Sequence, residues 1–260
     1  MNPQKSICVI MAHADDIEYN AGATLARYID HGYRGLYGVM SRCNSGYTVV
    51  GQTGHFESSV PLIAVRRAEA AAAAKVYGAE TYFGDVLERH HTLRDGRRIF
   101  LSFRGAPGDP EDAPEGTPFV SLALTKDEPH SPVQELVKVL VEWAPEVVIS
   151  QRFQDWNPDH YCASLGLYLA WREARKVKPQ IGEFWIALRA PDSEGMFPPL
   201  VADRFVDVTG YEEKCLQALA CHQSQRGDRP YQDKARLGNW RHWGKIHGCA
   251  SAEAFVNVEA

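Results

Sequence analysis

The chain has 260 residues, 45% hydrophobic and 23% charged, with a formal net charge of -5. That is enough length and apolar content for a globular protein with a substantial core. The acidic balance argues against a general nucleic-acid binder, and no run is long and apolar enough to read as a membrane span or a signal core.

Strand and helix signals alternate along the chain. Ile7-Cys8-Val9-Ile10-Met11 is a continuous apolar run and predicts a buried strand over Ser6–Met11. Ile17–Ile29 has helical spacing, with Asp16 as a cap and Gly32 as a stop. Gly35–Met40 is a second strand, and Ser41–Ser59, rich in Gly, Ser, Thr and Asn, reads as a loop. The alanine-dense Ile63–Tyr77 predicts a helix ended by Gly78, and Thr81–Phe83 a short third strand. A helix over Val133–Trp143 leads through Pro145 to a strand at Glu146–Ser150, and Asp159–Lys176 is a further helix. Strand signals recur at Gly182–Leu188 and Arg204–Val208, and Tyr211–His222 is helical. This rhythm indicates an α/β layered fold with a mainly parallel sheet. The Pro-, Gly- and Asp-rich segment from His90 to His130 breaks it and reads as a loop or lid insertion within one domain spanning residues 1–260. The tail from Gln223 is polar and aromatic. The six cysteines are scattered without a C-x-x-C pair, which fits reduced thiols in a cytoplasmic protein.

Two short segments carry the chemistry. His13, Asp15 and Asp16 lie just past the first strand, and Asn157-Pro158-Asp159-His160 lies just past the strand at Glu146–Ser150. In an open parallel sheet, sites form in the crevice at the carboxyl ends of strands where the chain turns in opposite directions. His13, Asp16 and His160 then supply a three-ligand shell for a catalytic zinc, with a position left for water. The same donors also suit Fe(II). Asp15, beside a ligand, is placed to take a proton from an attacking water, and Asp159 to orient an imidazole through its second nitrogen. The plainer alternative is local: Asp15-Asp16 as a helix cap and Asn157-Pro158-Asp159 as helix-starting turn chemistry. Neither G-x-G-x-x-G nor G-x-x-x-x-G-K-[ST] follows a strand and G-x-S-x-G is absent, which disfavours a dinucleotide site, a P-loop and a serine hydrolase.

Ala12-His13-Ala14-Asp15-Asp16 and Asn157-Pro158-Asp159-His160 resemble the A-H-P-D-D and H-P-D-H motifs of the PIG-L or LmbE-like N-deacetylases. Arg66-Arg67-Ala68-Glu69, Tyr77-Gly78, the stretch from Lys214 to Gln225 and Ala252-Glu253-Ala254-Phe255 are similar to further patterns of that family, so the resemblance spans nearly the whole chain. It implies an LmbE-like, Rossmann-like three-layer fold and hydrolysis of an N-acetyl or other N-acyl group on an amino sugar by a zinc-activated water. It also implies His13, Asp16 and His160 as metal ligands, Asp15 as general base, and Arg66 and Asp85 as substrate contacts. Two positions depart from the pattern. Ala14 stands for the proline of the first motif, and Asn157 for the first histidine of the second. An Asn donates a hydrogen bond to an oxyanion but cannot deliver a proton as an imidazolium does. His90, His91, His130 and His222 are then candidates for protonating the leaving amine, as is Asp15 itself.

The reading is therefore a metal-dependent N-deacetylase acting on a small amino-sugar substrate, with no nucleic-acid partner and with a homo-oligomer compatible with the sequence. The alternative, motivated by Asn157, is a relative that keeps the metal and binds carbohydrate but turns over weakly. Trp156, Trp171, Trp185, Trp240 and Trp243 would be its candidate sugar platforms, although tryptophans more often pack in cores.

Overall fold

A computed structural model of the chain describes residues 4–258 apart from 44, 51–52, 59, 87, 89, 93–97, 101–131, 153–156, 190–199 and 227–229. In chain order its elements begin β1 (Ser6–Met11), α1 (Asp16–Asn20), α2 (Gly22–Asp30), β2 (Arg34–Ser41), β3 (Ser45–Val50), β4 (Thr53–Ser58), α3 (Val60–Tyr77) and β5 (Glu80–Val86). Then follow β6 (His90–Thr92), β7 (Arg98–Phe100), α4 (Pro132–Trp143), β8 (Val147–Ser150), α5 (Pro158–Val177) and β9 (Glu183–Leu188). The last are β10 (Arg204–Asp207), α6 (Glu212–Leu219), α7 (Gln223–Arg226), α8 (Pro230–His247) and β11 (Ala252–Val258).

Seven strands form one sheet in the order β10-β11-β9-β8-β1-β2-β5. The pairs β1–β2, β2–β5, β1–β8 and β8–β9 are parallel, while β11 lies antiparallel between β9 and β10. The chain leaves β1 toward β2 and β5 on one side and leaves β8 toward β9 on the other. The switch point expected from the sequence thus lies between β1 and β8.

The strand β1 is buried on both faces, as its unbroken apolar run demands. Ile7, Val9 and Met11 join the core under α2, α3 and α6, whereas Cys8 and Ile10 join the core under α4 and α5. Each such fully buried side chain contributes about 1.5–3 kcal/mol relative to exposure. Gly32 and Gly78, expected as helix stops, adopt φ of +88° and +79°, the left-handed region that only glycine enters without strain.

Three expectations are corrected, and a fourth lies mostly beyond the described residues. The helix over Ile17–Ile29 is two helices, broken at the buried Ala21 with φ -150°. The loop over Ser41–Ser59 contains an antiparallel pair, β3 with β4, whose Tyr47-Thr48-Val49-Val50 and His55-Phe56 are strand formers among the polar residues. Tyr211–His222 is helical only over α6, and the tail from Gln223 contains α7, the long helix α8 and β11. Of the segment His90–His130, only β6 and β7, which pair antiparallel, are described, so the expected lid lies mostly outside the described residues.

All six cysteines are free, four of them buried. No helix among the described residues is long and apolar enough to cross a membrane.

Candidate metal centre

The loop after β1 delivers His13, Asp15 and Asp16, and the first turn of α5 delivers Asp159 and His160. The Asp16 Oδ2 accepts a hydrogen bond from the His13 backbone N–H at 2.8 Å, which folds the loop back on itself. Asp15 occupies the N-cap position of α1, yet its carboxylate makes no capping bond. The helix-cap reading therefore fails for this residue, and its carboxylate stays available to the crevice. Asn157 behaves in the opposite way. Its Oδ1 accepts from the Asp159 N–H at 2.9 Å, with Pro158 next in the helix, which is N-cap chemistry for α5.

His13, Asp16 and His160 converge although the two histidines are 147 positions apart. The His13 Nδ1 lies 3.1 Å from the His160 Nε2 and 3.3 Å from the Asp16 Oδ2, and the Asp16 Oδ1 lies 3.3 Å from the His160 Nε2. Donors about 2.1 Å from a tetrahedral zinc stand about 3.4 Å from one another. The three donors thus fit an ion of that size. The other nitrogen of His13 faces Asp159 at 3.2 Å. Asp159 is fully buried, so its carboxylate fixes which imidazole nitrogen turns toward the cluster.

The electrostatics favour a cation as well. Burial opposes charge on His13, but Asp16 and Asp159 outweigh it and hold the imidazole well above its ordinary value. Burial would likewise raise Asp16, yet the charges of His160 and His13 hold its carboxyl well below the usual range. Carboxylates that hold the His13 imidazole positive also favour a positive ion between the same groups.

Arg66 lies behind Asp15. One guanidinium nitrogen is 3.5 Å from the Asp15 Oδ1 and another 3.5 Å from the Glu88 Oε1, and Ser41 donates to that same Glu88 oxygen at 2.7 Å. Arg66 and Glu88 are both buried. Burial works against the guanidinium charge, but Glu88 and Asp15 prevail and hold it more firmly protonated. Glu69, three positions after Arg66 in α3, instead accepts from the backbone N–H and hydroxyl of Ser224. Asp85 is not drawn into the cluster. It is exposed, and among the described residues its ion-pair partners are Arg42 and Arg67.

Two residues that sequence reasoning missed, Tyr37 and Glu18, support the loop. The Tyr37 hydroxyl donates to the Ala14 carbonyl at 2.6 Å and lies 3.1 Å from the Glu18 Oε2. That oxygen faces the His222 Nε2 at 3.2 Å. Tyr37, Glu18 and His222 are buried, and the Glu18 Oε1 and His222 Nδ1 have no partner among the described residues. Tyr37 and Glu88 gave no local signal. Glu18 could be suspected only as the single acid in the helix expected over Ile17–Ile29. Among the histidines proposed as proton donors, His222 is thus committed to Glu18; the side chains of His90, His91 and His130 lie outside the described residues. The candidate sugar platforms Trp171, Trp185, Trp240 and Trp243 are buried in the core, as the packing alternative expects, and Trp156 lies outside the described residues.

Comparisons with known proteins bear on the fold and the family. No curated protein matches the chain at a significant level. Among solved structures, the conserved protein TT1542 from Thermus thermophilus superposes with a TM-score of 0.67 at 21% identity, covering 98% of this chain and 95% of that one. N,N'-diacetylchitobiose deacetylase from Pyrococcus horikoshii gives 0.65 at 19% identity, covering 98% and 84%. GalB, the 4-carboxy-2-hydroxymuconate hydratase of Pseudomonas putida KT2440, gives 0.67 at 18% identity, covering 99% and 97%. At such identities the likeness shows the shared fold, which carries more than one reaction. The family model described as PIG-L, GlcNAc-PI de-N-acetylase, matches residues 8–171, more than half of the chain, running from within β1 into α5 and including His13, Asp16 and His160. The chain belongs to the PIG-L family and has its LmbE-like fold.

Proposed function

We propose that the protein is a metal-dependent hydrolase that removes an N-acetyl or related N-acyl group from an amino sugar or its conjugate. The observation that carries this is the convergence of His13, Asp16 and His160 at the carboxyl ends of β1 and β8, with the Asp15 carboxylate, which caps no helix, next to Asp16 in the chain. His13 through Nδ1, His160 through Nε2 and Asp16 would hold the ion, and zinc fits the donor set as Fe(II) does. When bound, such an ion supplies Lewis acidity, making a water easier to deprotonate and an amide carbonyl more electrophilic.

The residues of the chain supply the rest. Asp15 takes the proton of the attacking water and returns it to the amine nitrogen as the C–N bond breaks. Arg66 holds the Asp15 carboxylate in place, and it meets substrate only alongside that carboxylate. Asn157 directs its Oδ1 to the α5 cap, so its amide nitrogen is the part that serves as a donor to the carbonyl oxygen. Asp85 contacts only a substrate long enough to reach Arg42 and Arg67. The second reading, a cation-holding relative with weak turnover, draws on the capping role of Asn157.

The test is release of acetate from N-acetylglucosamine and its glycosides. Turnover that stops when a chelator removes the metal and returns when zinc or ferrous ion is restored is the expected result. Turnover unaffected by complete metal removal overturns the proposal. Stoichiometric metal binding without turnover on any N-acylated amino sugar favours the second reading.

A further inference from the structure

Gln151 is the first residue after β8, and its side chain is buried. Its Oε1 accepts a hydrogen bond from the Ala12 backbone N–H at 3.2 Å, and its Nε2 donates to the His160 carbonyl at 3.2 Å. Ala12 directly precedes His13. One amide therefore joins the segment carrying one imidazole to the segment carrying the other. The ladder between β1 and β8 ends at Val9 and Ile149, where the two strands diverge into the crevice. On its far side Ala12 is held by β2, since its carbonyl accepts from the Ser41 N–H at 3.0 Å. On the side facing the crevice the Gln151 amide takes the place of the missing ladder. The base of this clamp is itself anchored, because the Ser164 hydroxyl donates to the Gln151 carbonyl at 2.6 Å.

We propose that Gln151 is a positioning residue for the metal centre, the group that sets the separation of the His13 and His160 imidazoles across the switch point. It touches neither the ion nor the substrate. The amide suits this task because it offers a donor and an acceptor at the two ends of one rigid plane, and here each end meets a backbone group of opposite kind. A hydrocarbon of the same length would leave the Ala12 N–H unpaired and the two segments free to separate. An Asn is one carbon shorter and cannot reach both partners at once. Because the inference rests on the metal-site reading, its test must separate the two.

Zinc affinity of the full chain is measured by chelator competition for the wild type and for Gln151→Met, Gln151→Asn and Ser164→Ala. Cobalt(II) absorption spectra report ligand geometry in the same proteins. The Ser164 variant removes the anchoring bond but leaves the amide clamp. The expected result is about a 10–100-fold loss of zinc affinity in both Gln151 variants, the range seen when groups supporting metal ligands are removed. Their cobalt bands should shift, while Ser164→Ala keeps wild-type affinity and spectrum. If Gln151→Met fails to fold, Gln151→Asn, which keeps a buried amide, carries the test. Wild-type affinity and spectrum in the Gln151 variants overturn the positioning role and leave the metal reading standing. Losses in Ser164→Ala equal to those of the Gln151 variants overturn it too, since general loosening would then suffice. No zinc binding by the wild type overturns the metal reading and this inference together.

Discussion

The Asp15 carboxylate is held but not consumed: Arg66 lies 3.5 Å away, and no backbone donor of α1 takes it as a cap. A general base contributes about 10²–10⁴-fold to rate. Asp15→Asn should therefore lower kcat by that factor while leaving zinc stoichiometry unchanged, as read by steady-state kinetics and metal analysis. A loss of metal with the same substitution would move Asp15 from base to ligand. His222 offers a pH-dependent readout away from the cluster. It faces Glu18 and Tyr37 directly, with Asp15 and Arg66 as further charges. Burial pushes its imidazole down, but the Glu18 carboxylate outweighs burial and holds it above its ordinary value. The resulting stabilisation is full below about pH 6.5, the unfolded imidazole value. It declines as pH rises past that point and is lost above the raised folded value. The stability advantage of the wild type over His222→Gln should thus shrink as pH rises above about 6.5 in denaturant titrations. An advantage that grows with that rise would refute the charged pair.

Among elements, the last strand is the least expected and one of the most connected. Glu253 on β11 is fully buried and accepts from the Thr24 N–H in the first turn of α2 at 2.8 Å. It also takes the Trp240 indole N–H at 3.0 Å and pairs with the buried Arg236, both from α8. A single carboxylate thereby ties the C-terminal helix and strand to α2, the second helix after β1. Removing one member of a buried pair typically costs about 3–5 kcal/mol, because the partner charge is left uncompensated. Glu253→Ala should lose stability on that scale, visible as a large fall in Tm, and Glu253→Gln less, since the amide still accepts. Nothing local announces this role, because a Glu between two alanines in a seven-residue segment reads as surface. The β3–β4 pair was hidden for a related reason: Gly, Ser and Thr dominate the composition, and the pairing partner, not the segment, decides the strand.

Over the whole molecule, the donor cluster exists only when β1 and β8 lie side by side, since its histidines are 147 positions apart in the chain. The unfolded chain offers no equivalent site, so a bound ion should stabilise the folded state by mass action. Zinc at about 100 times its dissociation constant should add about 2.7 kcal/mol. The check is an upward shift of Tm with zinc that His160→Ala abolishes; an equal shift in that variant would place the ion elsewhere. Much of this architecture was legible in advance. Continuous apolar runs gave the central strands, alanine density and Gly78 gave α3, and two short motifs past two strands gave the donor set. Local pattern was sufficient wherever periodicity, capping or helix-stopping acts through neighbours in sequence. Tertiary structure alone decided that the imidazole Asp159 meets is that of His13, that Arg66 lies against Asp15 and Glu88, and that Asp85 stands apart with Arg42 and Arg67. It also decided that β11 inserts antiparallel between β9 and β10. These are contacts between distant segments, and their energies depend on distance and burial, which a one-dimensional chain does not contain until it folds.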